Sequence, residues 1–100
     1  MKPALLPGDR ALVVPVRRPR VGQVVVVEHP DRAGYEMVKR IVGAPGDRVG
    51  ERVLGPNEWW VQGDHAESST DSRQFGPVTH GELKARVRVV YSPKGRRRLL

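Results

Sequence analysis

The chain contains no cysteine. That excludes disulfides, thiolate metal sites and a cysteine nucleophile together. It leaves the redox compartment open, because a disulfide-free chain suits either side of a membrane. Aromatic residues are scarce at 5%, and isoleucine occurs once. Apolar runs such as Val24 to Val27 stop at four residues, far short of the ~18 that a spanning helix needs. The first seven residues, Met1 to Pro7, are too short and too proline-broken for a signal peptide. No long stretch repeats with the 3.6-residue period of a helix. These absences leave a soluble or peripheral chain.

What is present favours strands. One hundred residues support one domain. The apolar content of 38% with 11 glycines is that of a globular protein. Valine dominates with 17 copies against seven leucines, and β-branched excess among turn residues predicts strands joined by turns. The candidate strands are Arg10 to Val16, Gln23 to His29, Glu36 to Val42, Arg48 to Leu54, Glu58 to Gln62 and Arg86 to Tyr91. Pro7-Gly8-Asp9 and Pro45-Gly46-Asp47 place Pro and Gly at the central positions of type II turns. Gly55-Pro56-Asn57 reads as a hairpin loop, and Gly81 to Val87 as the start of a helical turn. Gly63 to Val78 is a polar loop of sixteen residues whose Phe75, Pro77 and Val78 should pack it down. The tail from Lys94 to Arg98 reads as mobile. The charge balance, 18 − 11 = +7, favours anionic surfaces, lipid or nucleic acid.

Lys39 is the first candidate for chemistry. On a strand it shares a face with Met37 and Ile41. Two apolar neighbours can desolvate a lysine, which lowers its pKa, and a neutral lysine is a competent general base. The alternative is a lysine whose stem covers the core edge while its ammonium stays wet. In the polar loop, Asp71 and Arg73 can pair, and the hydroxyls can either close a self-satisfied loop or orient a catalytic group. His29, His65 and His80 show no metal-ligand spacing. A triad from His65 and Asp71 has no nucleophile elbow to serve it. Trp59 and Trp60 should face opposite sides of a strand. The Arg96-Arg97-Arg98 run suits phosphates or anionic lipid, or a solvated tail.

Three segments combine into a resemblance. Met1 to Asp9, then Val38-Lys39-Arg40-Ile41-Val42-Gly43-Ala44-Pro45-Gly46-Asp47, then Gly63-Asp64 through Ser69-Thr70-Asp71-Ser72-Arg73-Gln74-Phe75-Gly76-Pro77-Val78 resemble, in order and spacing, the boxes of type I signal peptidases, the S26 serine proteases. The last box is the most specific. The resemblance implies a mainly β, signal-peptidase-like or LexA-like antiparallel assembly with a long polar active-site loop. It implies a catalytic domain over residues 1–93, incomplete at its N-terminus, and a basic tail over 94–100. It implies a Ser/Lys dyad with Lys39 as general base and Ser69 orienting it. Asp64, Asp71, Ser72 and Arg73 would support the loop, and Met1 and Pro3 would belong to the substrate-groove motif. No metal or cofactor is implied. The partner would be a leader-bearing precursor or peptide, at an anionic membrane surface.

One departure accompanies it. The family's nucleophilic serine immediately precedes the methionine of a Ser-Met-x-Pro motif, and here that methionine matches Met1. The nucleophile would therefore lie upstream of the chain as written, with any membrane anchor. His65 and Ala66 also stand where many relatives carry Asn and Arg. Within the family the last box resembles those of nickel-type superoxide dismutase maturation proteases, which would be cytoplasmic, and of mitochondrial inner-membrane peptidases. Two rival readings remain. One is a catalytically dead peptide-binding relative. The other is a basic nucleic-acid-binding β domain, against which stands the lack of interleaved aromatics for base stacking.

Overall fold

The four valines Val24 to Val27 lie in strand β2 (Val24–Glu28) at the centre of the molecule. Val24, Val25 and Val27 are all fully buried, so this strand is covered on both faces, which is why its sequence is a run rather than an alternation. The computed structural model describes residues 10–64, 70–91 and 97–99. Around β2 stand β1 (Arg10–Val14), β3 (Glu36–Gly43), β6 (Trp60–Gln62), β7 (Leu83–Tyr91) and β8 (Arg97–Leu99). They form one sheet in the order β1-β7-β2-β3-β6, with β8 also on β7, and every pairing is antiparallel. The expected fold class, mainly antiparallel β, is the observed one.

The core lies on one face of this sheet. Val25, Val27, Ile41, Val61 and Leu83 pack there with Trp59 and Val78, and Val16, Met37 and Phe75 close its edge. Trp59 and Val78 reach one another through an isolated bridge, so the end of the polar loop packs down as Phe75 and Val78 imply. Trp59 is buried and Trp60 half-buried.

Four local readings change. Arg48 to Leu54 is not one strand but a hairpin of β4 (Arg48–Val49) and β5 (Arg52–Val53). Gly50 has φ +61°, the backbone that a two-residue hairpin turn with glycine first demands, and it reverses the chain. Gly55-Pro56-Asn57 therefore joins β5 to β6, which belong to different sheets, and is no hairpin loop. The helical turn shrinks to a 3₁₀ turn (His80–Glu82), after which Leu83 starts β7. The tail is not wholly solvated: Arg97–Leu99 pairs with Val89 to Tyr91 of β7. Strand pairing uses backbone groups, so arginines do not prevent it.

The Pro45-Gly46 turn is as expected. Asp47 N–H donates to the Ala44 carbonyl at 2.9 Å, Gly46 has φ +89°, and Ala44 N–H donates to the Asp47 carboxylate at 2.8 Å. The other such turn, Pro7-Gly8-Asp9, lies outside the described residues.

Candidate active site

Strand β3 alternates as its sequence dictates. Met37, Lys39 and Ile41 turn to the core face, and Lys39 is only 8% exposed. Lys39 stands opposite Val25 of β2, whose other neighbour across the sheet is Arg86 of β7. Burial among these apolar groups pushes the Lys39 pKa down. The Asp71 carboxylate pulls the other way, and the Arg73 guanidinium adds to the lowering. A lysine so placed gives up its proton more readily than one in water.

The residues facing this lysine come from the end of the polar loop. Helix α1 (Ser72–Phe75) opens with a capping box. Arg73 N–H donates to the Asp71 carboxylate, and Asp71 N–H donates to Gln74 Oε1 at 2.8 Å. Asp71 is fully buried. Its carboxylate accepts from Arg73 Nε at 2.9 Å and Nη2 at 2.5 Å, and from the Gly63 N–H at 2.9 Å. Burial alone would raise the Asp71 pKa. The Arg73 side chain and the two backbone donors outweigh it and hold the pKa below the usual carboxylate value. The same pairing raises Arg73. The pair therefore stays charged beside Lys39.

Ser72 is buried, and its Oγ accepts from the Val61 N–H at 2.9 Å. Val61 pairs with Ile41, so α1 is fastened to β6, and β6 to the strand that bears Lys39. The loop's first residues are fastened as well. Asp64 accepts a fork from Arg40, Nε to Oδ1 at 3.2 Å and Nη2 to Oδ2 at 3.3 Å. The third nitrogen, Arg40 Nη1, donates to the Gly22 carbonyl at 2.9 Å.

The structure thus brings together Lys39, Asp71 and Arg73, and ties Ser72 to β6 and Asp64 to β3. Arg40 escaped the sequence reading. Its one signal was its place beside Lys39 on the opposite face of the strand, where an ordinary solvated arginine was equally consistent. The Ser72 Oγ bond to Val61 carried no sequence signal. Ser69, Met1, Pro3, His65 and Ala66 lie outside the described residues. His29 packs on Phe75 with ring centres 4.7 Å apart, and its Nδ1 accepts from Asp31 N–H. His80 meets the edge of Trp59.

The family model for signal peptidases, peptidase S26, matches residues 1–53 and 50–92. The chain belongs to this family. It is 42% identical over 83 residues to the mitochondrial ATP-independent inner membrane protease subunit 1a of Arabidopsis thaliana, covering 69% of this chain and 49% of that protein. It is 31% identical over 104 residues to subunit 1b of the same plant, covering 87% and 62%. Signal peptidase I of Buchnera aphidicola is 37% identical over 70 residues, covering 54% and 23%. The chain spans about half the length of the curated relatives it matches. Among its described residues no helix is long and apolar enough to cross a membrane.

Proposed function

We propose that this S26 domain is the catalytic part of a serine endopeptidase that removes N-terminal leader or pro-peptides at a membrane, with Lys39 as general base. The observation that supports this best is the placement of Lys39, buried on the core face with a lowered pKa and flanked by a locked Asp71–Arg73 pair. In this reading the nucleophilic hydroxyl is that of a serine directly preceding Met1. Its oxygen attacks the scissile carbonyl as neutral Lys39 takes the hydroxyl proton. Lys39 then hands that proton to the leaving amine, which departs as the acyl-enzyme forms. A water, deprotonated by the same lysine, releases the product.

Ser69 orients Lys39 in this scheme, and Asp64, Asp71, Ser72 and Arg73 hold the loop against β3 and β6. Met1 and Pro3 belong to the substrate-groove motif in this scheme. Support for a membrane setting comes from the relatives, which are named for the mitochondrial inner membrane.

The test uses the native product purified from its own host and a leader-bearing precursor. Its N-terminal mass shows whether a serine precedes Met1. Lys39→Met should lower the cleavage rate by a factor on the order of 10²–10⁴ while leaving the near-ultraviolet dichroism unchanged. Undiminished cleavage in that variant overturns the base assignment. Peptide binding without cleavage in the wild type would leave a catalytically dead binding module.

A further inference from the structure

A second feature lies on the Lys39 side of the sheet, toward β1. The connection from β1 to β2 lines an open cleft of about 870 Å³ together with β7. Five arginines line it: Arg17, Arg18, Arg20, Arg86 and Arg88. Val14, Arg86, Val25 and Lys39 are successive cross-strand neighbours, so Arg86 shares the lysine's face, two strand spacings or about 10 Å away.

None of the described residues lining the cleft is acidic. None of the five arginines has a carboxylate within ion-pair distance among the described residues. The Nε of Arg86 is buried without a hydrogen-bond partner among the described residues. Uncompensated arginines converging on a concavity repel one another, and they suit a ligand with several anionic oxygens. Arginine in particular matches phosphate with paired donors, and 14 of the 18 basic residues here are arginine.

The apolar surroundings narrow the choice of anion. Val14, Pro15, Val16 and Val21 form part of the cleft wall, and Val21 is 53% exposed. Aliphatic side chains beside arginines suit the boundary between headgroups and acyl chains. None of the described residues lining the cleft is aromatic, so bases of a single-stranded nucleic acid would find no ring there to stack on.

We propose that this cleft docks the phosphate groups of anionic phospholipids, seating the protein on a bilayer by the β1–β7 side of its sheet. The proposal deepens the membrane part of the reading above, but it does not depend on proteolysis. Vesicle binding and leader cleavage therefore fail separately.

The test is co-sedimentation of the full chain with vesicles of mixed phosphatidylglycerol and phosphatidylcholine, and of phosphatidylcholine alone. Binding is expected to the mixed vesicles only, and to weaken with added salt. The double variant Arg17→Ala/Arg20→Ala changes exposed residues and should fold. At about a fivefold loss per arginine, it should bind about 25-fold more weakly. Arg32→Ala/Arg48→Ala makes the same change in net charge away from the cleft and should bind nearly as wild type does. Equal losses in the two double variants would reduce the effect to net charge and overturn the site. So would absence of binding to the mixed vesicles, or tighter binding to a single-stranded oligonucleotide than to them.

Discussion

At the scale of the residue, Arg73 connects a structural role with a chemical one. Its guanidinium answers a fully buried carboxylate, and its charge also acts on Lys39. Arg73→Ala leaves Asp71 with two backbone donors and without its guanidinium partner. Leaving a buried carboxylate without its charged partner should lower the denaturant midpoint. The same change removes a charge that lowers the Lys39 pKa and frees the Asp71 charge that raises it. The proton on Lys39 is then held more tightly. Since the proposed base works in its neutral form, the cleavage profile should move to higher pH. A variant that loses stability with no alkaline shift would leave Arg73 a structural role only.

Among the elements, β3 shows how closely site and scaffold are joined. Its last residue, Gly43, is buried where the β4–β5 hairpin and β6 converge. A Cβ there would lie 3.0 Å from Leu54 Cδ1, 3.1 Å from Val49 Cγ2 and 3.2 Å from Trp60 Cβ. Gly43→Ala should therefore destabilise by about 1–3 kcal/mol through overpacking, measured by thermal or denaturant unfolding. Most of β3 was legible in the sequence, because alternation on a strand dictates which side chains share a face. The lysine's place on the apolar face followed from that rule, but its burial did not, because a stem on the core edge with a wet ammonium alternates in the same way. The hairpin was not legible, because Arg48 to Leu54 alternates like a strand and only the φ of Gly50 marks the reversal. Helix α1 was hidden as well. Four residues offer no periodicity, and its stability comes from a cap and from the buried Ser72 Oγ, which are tertiary facts. The Arg40 to Asp64 fork joins residues 64 − 40 = 24 positions apart, a distance over which sequence spacing carries no signal.

For the whole molecule, one sheet takes up every described strand except the β4–β5 hairpin. Local losses should therefore be felt together. The Asp71 pKa is lower in the folded state than in the unfolded chain. Its stabilisation is present above the unfolded value, near 3.8, and is lost as pH falls through the folded one. Acid unfolding should be a single transition below about pH 4, with tryptophan fluorescence and far-ultraviolet dichroism falling together. Asp71→Asn should begin less stable at neutral pH and lose less on acidification. An equally steep acid decline in that variant would assign the acid sensitivity to other carboxylates.

The position of β7 affects how the chain comes off the ribosome. This strand pairs with β1, β2 and β8, yet it is made well after β1 and β2. Its partners Val24 and Val87 are 87 − 24 = 63 residues apart, a delay of roughly 3–13 s at the usual pace of about 5–20 residues per second. Through that interval the valine strand has β3 on one edge and nothing from β7 on the other. Sheet closure waits until Leu83–Tyr91 has been made, and a nascent chain stalled before Leu83 presents a sticky, half-paired strand to whatever chaperone meets it.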